Sequence, residues 1–435
     1  MNDDASHGLG PRVMGCRSDI ASRDDGRMAL AAGMLLVAGV AFGVYWLTAV
    51  LLDVRRAAGY FGADADHYAK LAHLLVHHRA ARFHPLTTTL GIAWMKAFSP
   101  LSPWFSGATL LKAMFAAVGA VGVWAAMWAF AASLPRRYVL LAGVLYGSSF
   151  GIWYFSSIPE SKIVTATMSV LYVAAYVRLR ERWSLPGAVG LSAILALACL
   201  NEIVSASLAV IPIVDVLLRR GLDRRSLSWL SAHVSVVLVA WFVLEVLVNG
   251  WLIPASAESH FGMLLYYIMT NDHGLASLHG FSANWFFFNI AAPETLVPQG
   301  PYFVGSFQPT LLTYLQSPPA LAALLVLGLV AVAALLPRYR AAHLGAAGGL
   351  LLPLAAFAFV RGLFFFIFNP LEALLFSPAV TLVHWLILLV PFAASRFPAK
   401  GALLSVLCVL LIATNAGFML GPEGWPGLAA RFVSH

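Results

Sequence analysis

Two aspartates, Asp64 and Asp66, stand just ahead of a stretch, Tyr68 to Leu75, in which apolar residues recur at helical spacing. The run reads Gly62-Ala63-Asp64-Ala65-Asp66-His67-Tyr68 and is followed by Phe83-His84-Pro85-Leu86. The spacing predicts a short amphipathic helix lying at a membrane surface. A helix N-terminus favours negative charge, so either Asp can simply be its cap. A carboxylate at the water–lipid boundary can also do chemistry. It can accept the proton of an acceptor hydroxyl while a lipid-borne group is attacked. Asp64 and Asp66 are therefore the candidate catalytic residues. His84 is placed to orient an acid or the substrate, and Pro85 to open a second surface helix as its first residue.

Further charged groups stand where charge is expensive. The turn Ile158-Pro159-Glu160-Ser161-Lys162 places a carboxylate, Glu160, two residues before Lys162, a cation suited to a phosphate. The competing reading is a solvated turn with a local Glu–Lys pair of little energetic worth. Arg361 interrupts an apolar run before Phe364-Phe365-Phe366 and Asn369-Pro370-Leu371-Glu372. A guanidinium there suits phosphate oxygens, whereas an anchoring role or a pair with Glu372 would make it structural. Asn201, Glu202 and Glu245 lie at ends of apolar runs. His260 and Asp272, in a later aromatic-rich segment, are candidate substrate contacts. Trp285-Phe286-Phe287-Phe288 beside them reads as a membrane-boundary belt.

Metal and redox chemistry find little footing. His73 and His77 have i, i+4 spacing among His67, His78 and His84, but no third ligand is evident, so no zinc site is read. His233 and His384 fall within apolar runs and read as packed residues. Cys16, Cys199 and Cys408 are far apart and define neither a disulfide framework nor a metal motif.

These residues need elements to hold them, and composition says which. Of 435 residues, 60% are hydrophobic and 11% charged, against roughly half and a quarter in soluble domains. Continuous apolar runs, without two-residue alternation, predict an all-α integral membrane protein: a polytopic helical bundle of about eleven transmembrane helices. The expected spans are 28–52, 107–132, 138–156, 162–178, 185–201, 203–218, 227–248, 319–336, 341–360, 373–395 and 401–419. Residues 1–27 read as a disordered cytoplasmic leader without a cleavable signal pattern. Residues 28–435 form a single transmembrane domain.

The net charge of +8 is accounted for by orientation rather than by nucleic acid. Arg12, Arg17, Arg23, Arg27, Arg136, Arg137, Arg178, Arg180, Arg182, Arg219, Arg220, Arg224, Arg225, Arg338, Arg340, Arg396 and Lys400 share one set of ends, mostly in short loops. That side is read as cytoplasmic. The N-terminus is then inside, the C-terminus outside, and two long outer loops cover 53–106 and 249–318. Interfacial helices are expected in the first loop and, over 282–292, in the later one. No internal repeat is visible.

The outer first loop with Gly-x-Asp-x-Asp-x-Tyr-x-x-x-Ala (Gly62 to Ala72), followed by His84-Pro85-Leu86, resembles the GT-C superfamily of membrane glycosyltransferases. The likeness is greatest to bacterial relatives of protein O-mannosyltransferases and of the lipid A aminoarabinose transferases, and it covers roughly 28–218. It implies a first-loop Asp as catalytic base, which is Asp64 or Asp66 here, with Asp64 favoured. It implies Tyr68 and Glu160 near the substrates, and a sugar donor carried on polyprenyl phosphate whose configuration inverts. The acceptor is a lipid, glycan or protein at the periplasmic face. No cofactor is required, though a divalent cation between Asp66 and the phosphate is compatible. An Ala-, Leu- and Arg-rich composition with few Lys suggests a bacterial inner membrane. The rival expectation is a lipid or solute transporter or flippase, which would need midplane polar residues, broken helices and usually repeated halves.

Overall fold

The computed structural model describes residues 13–51, 65–76, 83–181, 184–219, 223–243, 274–293, 311–336 and 345–420, with Ala81, Gly221, Tyr266 and 268–271. Helix α1 (Val13–Leu51) precedes the short α2 (Ala65–Ala69), which tightens into a 3-10 turn, Lys70–His73. Next come α3 (Pro85–Ala97), α4 (Gly107–Ser133), α5 (Arg136–Ser148), α6 (Phe150–Ser156) and α7 (Ser161–Leu179). Helix α8 (Leu185–Asn201) leads through a 3-10 segment, Ile203–Ala209, into α9 (Val210–Arg219) and α10 (Arg224–Phe242). Helix α11 (Leu275–Ser282) runs on as a π-helical stretch, Ala283–Phe288. The remainder is α12 (Leu311–Leu315), α13 (Pro318–Leu335), α14 (Gly345–Phe368), α15 (Ala373–Phe376), α16 (Thr381–Ala394) and α17 (Lys400–Leu420). Among the described residues no strand occurs.

Among the described residues seven helical stretches are long and apolar enough to cross a bilayer, and α5 with α6 makes an eighth if the bent pair is one span. The chain is an all-helical, multi-pass membrane protein. Among the described residues, three of the expected spans hold helices shorter than that test requires, and the last part of 227–248 lies outside them. Within 185–201 and 227–248 the apolar helices are Pro186–Asn201 and Ser226–Ala240. The run 203–218 divides into the 3-10 segment and the ten-residue α9; at 1.5 Å per residue α9 is about half the hydrocarbon thickness.

Helix α1 starts at Val13, so backbone expected as disordered leader is helical from there on. The apolar run that follows supplies a nucleus to extend from. The bundle centre is built from small residues. In α4, Ala116, Gly119, Ala120, Gly122, Ala125, Ala126 and Ala129 are all buried, which lets helix backbones approach closely. The space a Gly119 side chain would need is filled by Ser156 Oγ.

One span is broken. Helices α5 and α6 meet at 63°, with extended backbone at Ser149. A break inside lipid exposes backbone groups that must find partners within the protein. Here the segment after the π-helical stretch supplies them. The amides of Phe150 and Gly151 donate to the carbonyls of Ile290 (3.1 Å) and Asn289 (2.9 Å). Asn415 Nδ2 donates to the carbonyls of Ser148 (2.7 Å) and Ile290 (2.9 Å), and its Oδ1 accepts from Ala292 N (2.8 Å). Residue 151 is glycine because Asn289 Oδ1 occupies the place of a Cβ. This segment is therefore packed into the bundle rather than lying on its surface. Trp285 and Phe288 are buried while Phe286 and Phe287 are exposed, so the expected aromatic belt divides between core and rim.

Candidate functional site

The first-loop helix forms, and it starts earlier than its sequence spacing indicated. Helix α2 begins at Ala65, so Asp66 is inside its backbone rather than ahead of it. Asp64 lies outside the described residues, and for Asp66 only the backbone is described. The helix is amphipathic: Tyr68 and Leu71 are buried, Lys70 and His73 exposed. Two glycines hold it in place. A Cβ on Gly107 would meet the Ala72 carbonyl oxygen at 2.5 Å, and one on Gly91 would meet Leu71 Cδ1 at 2.7 Å. Helix α3 starts at Pro85, as its sequence predicts. Its preceding residue, His84, lies near Tyr68, with ring centroids 6.3 Å apart.

Asn201, at the C-terminal end of α8, ties this loop to the bundle. Its Oδ1 accepts from Thr87 N (3.1 Å) and Thr87 Oγ1 (2.6 Å). Its Nδ2 donates to the Ser161 carbonyl (3.2 Å) and to Thr165 Oγ1 (2.7 Å). Its own carbonyl lies 2.6 Å from His84 Nδ1. A carbonyl only accepts, so His84 carries its Nδ1 proton there. Side chain and backbone of one buried residue thus join the start of α3 to the start of α7.

Glu202 follows at once, and two cations converge on it. Lys162 Nζ lies 3.4 Å from its Oε1, and Arg361 Nη2 donates to its Oε2. All three are buried. Both cations also rest on aromatic faces: Lys162 Nζ is 4.4 Å from the Phe376 centroid, and the Arg361 guanidinium carbon is 4.9 Å from that of Phe365. Those rings stack on each other at 3.9 Å. Burial alone would raise the Glu202 carboxyl, but Arg361, Lys162 and then His84 outweigh it and hold it below the ordinary carboxylate range. Arg361 is 1% exposed. Its Nε and Nη1 have no hydrogen-bond partner among the described residues. A buried donor left unsatisfied is costly, and two such donors beside a lysine suit an anionic ligand.

The turn before α7 is not solvated. Every residue from Ser157 to Lys162 is buried. Glu160 serves α7 as a cap: its Oε1 accepts from Ser161 N (2.7 Å) and Ser161 Oγ (2.9 Å). Lys162 pairs with Glu202 and Arg361 does the same, so neither the local Glu160–Lys162 pair nor an Arg361–Glu372 pair is what these cations make.

The structure thus brings together Tyr68, His84, Lys162 and Arg361, with Glu160 two residues before Lys162. His260, Glu245 and Asp272 lie outside the described residues. His233 stacks on Trp229 (4.0 Å) and His384 sits against Phe286 (5.1 Å), each as a packing residue. Among the described residues no three His, Cys, Asp or Glu side chains converge as a metal group would. Sequence reasoning marked Asn201 and Glu202 as polar residues at a span end and gave them no role. The aromatic floor at Phe376 carried no signal beyond its position after Glu372. A second buried cluster was missed entirely: Asp215 accepts from Tyr176 Oη (2.6 Å), Arg180 (3.1 Å) and Arg219 (2.6 Å). Compared with known protein families and with curated proteins, the chain matches none.

Proposed function

We propose that the protein transfers a glycosyl group from a polyprenyl-phosphate donor to a lipid, glycan or protein acceptor at the outer face of a bacterial inner membrane. One observation carries the reading. Arg361 is buried with two guanidinium donors unmatched, in a cluster that Asn201 and Glu202 join to the loop bearing Asp64 and Asp66. Guanidinium binds phosphate oxygens through paired hydrogen bonds, and Lys162 adds a second charge. The distribution of Lys and Arg supports an inside N-terminus and an outside C-terminus. It sets the first loop, the turn at 157–160 and Arg361 on the outer side.

In this reading Asp64 or Asp66 accepts the proton of the acceptor hydroxyl. The acceptor oxygen forms its bond to the anomeric carbon from the face opposite the phosphate. The bond from that carbon to the phosphate oxygen breaks, its electron pair goes to the phosphate, and configuration inverts. Lys162 and Arg361 stabilise the charge that grows on the departing polyprenyl phosphate. The test is purified protein given polyprenyl-phosphate sugars and assayed for release of polyprenyl phosphate. The sugars are chosen from the lipid that accumulates in a deletion strain. Release by wild type and none by the Asp64→Asn, Asp66→Asn double variant is expected. Full release by the double variant would sink the mechanism.

One observation favours a second reading, a lipid or solute transporter. The α5–α6 span is broken by 63°, and the break is bonded to Asn415 and to the segment around Asn289. Broken helices with satisfied polar junctions line substrate sites in transporters. Proteoliposomes that move a fluorescent polyprenyl phosphate across the bilayer without releasing any sugar would establish that reading instead.

A further inference from the structure

Resting on the proposed phosphate site, we infer that Glu202 sets the charge the site accepts, and that it selects a donor joined through a single, singly charged phosphodiester over one joined through a pyrophosphate. Lys162 and Arg361 bring two positive charges, and Glu202 brings one negative charge to both of them. The cluster therefore carries +1. Its neighbours leave that count in place. Glu160 directs its Oε1 to the amide and hydroxyl of Ser161 at the start of α7, where the helix end favours negative charge. His84 turns its Nδ1 to the Asn201 carbonyl and acts alike on every probe and variant, so it does not alter their ranking.

The environment makes the count matter. Lys162, Glu202 and Arg361 are each at most 7% exposed, and stacked Phe365 and Phe376 rings underlie both cations. Water screens little there, and an unmatched buried charge is disfavoured. A phosphodiester carries one negative charge and neutralises the cluster. A pyrophosphate ester carries at least two and leaves a negative excess. Glu202 takes Arg361 Nη2, and Nε and Nη1, on opposite edges of the guanidinium, remain as single donors for an anion.

The experiment compares three soluble probes with the purified full-length protein in detergent: a short-chain isoprenyl methyl phosphodiester, the matching isoprenyl monophosphate and the matching isoprenyl pyrophosphate. Binding is measured by calorimetry for wild type, Glu202→Gln and Lys162→Met. Wild type should favour the diester over the pyrophosphate. Glu202→Gln makes the cluster +2 and should shift the ratio of affinities toward the pyrophosphate by about tenfold or more. Lys162→Met makes it neutral, leaves Arg361 paired with Glu202, and should weaken the pyrophosphate more than the diester. The second variant decides the matter if the first does not fold. Binding by wild type with an unchanged ranking in the folded variants would overturn the charge selection while leaving the phosphate site standing. Failure of wild type to bind any of the three probes would overturn both.

Discussion

Arg361 on α14 and Glu202 at the end of α8 form a buried ion pair across 159 positions of sequence. The pair pulls together two elements that the chain order keeps apart, and Lys162 on α7 makes it three. Removing one partner of such a pair leaves a bare charge in a dry place, at a typical cost of about 3–5 kcal/mol. Arg361→Ala should therefore lower the thermal stability of the detergent-solubilised protein markedly. Arg361→Lys keeps a charge but loses the planar fork. It should leave the fold intact and raise the KM for the donor by about tenfold, with a smaller change in kcat. A donor KM unchanged in Arg361→Lys would remove Arg361 from the donor site.

The same pair gives stability a pH dependence of known sign. Arg361 and Lys162 hold the Glu202 carboxyl below the ordinary range despite its burial. In the unfolded chain the group returns to its usual value, near ~4.3. A carboxyl depressed in the folded state contributes stability that is complete above the unfolded value and is lost as pH falls through the folded one. The melting temperature should be flat with respect to this group above about pH 5 and fall on further acidification. Glu202→Gln should lower the plateau and flatten the acid limb. An acid limb of equal steepness in that variant would show that other carboxylates govern it.

Asn201 meets four groups with its side chain: Thr87 N and Oγ1, the Ser161 carbonyl and Thr165 Oγ1. Asn201→Leu removes all of them and leaves the Thr87 amide buried with its acceptor gone. An unsatisfied buried group costs about 1–3 kcal/mol, so a loss of several degrees in Tm is expected. The first loop should loosen with it, read as faster amide exchange over residues 84–90. If exchange rose uniformly across the protein, Asn201 would be a general packing residue and not the tie between loop and bundle.

How much of this was legible in the sequence depended on distance along the chain. Lys162 and Arg361 were visible as charges in apolar surroundings, because the cost of burying charge is local information. Their shared partner was not, since Glu202 meets Arg361 only through tertiary packing. The buried turn at 157–162 read as solvent-facing for the same reason: Ser, Pro, Glu and Lys are ordinary turn residues until tertiary packing buries them. The break at Ser149 was invisible within a continuous apolar run from 138 to 156. Its backbone groups are met by Asn289, Ile290 and Asn415, the last of them 267 positions from Ser148. The amphipathic first-loop helix and its proline-led successor were readable because their patterns repeat within a few residues.

Gly107 tests how tightly the first-loop helix must sit. Its Cβ position is 2.5 Å from the backbone oxygen of Ala72. A backbone atom cannot swing aside as a side-chain tip can, so Gly107→Ala must displace the 3-10 turn or the start of α4. Overpacking of this kind costs about 1–3 kcal/mol. The larger consequence should be catalytic. The displaced turn follows directly on the helix that contains Asp66, and an ångström of misplacement can lower a rate by about a hundredfold. A kcat reduced at least tenfold in a variant that still binds donor is the expected result. Unchanged kcat would show that the acid is positioned from elsewhere.

The two aspartates can be separated by the register of the residues that follow them. Tyr68 and Leu71 are buried, and Lys70 and His73 are exposed. In the sequence, position 64 stands four before Tyr68 and seven before Leu71, and position 66 four before Lys70 and seven before His73. The buried face is the one that adjoins His84, through Tyr68. Asp64 is therefore expected to be the base, and Asp66 an auxiliary charge at the start of the helix. Asp64→Asn should lower kcat by about 10²- to 10⁴-fold, the usual contribution of a general base. Asp66→Asn should lower it by less than about tenfold and act mainly on stability. The reverse ranking, measured as release of polyprenyl phosphate by the two single variants, would exchange their roles.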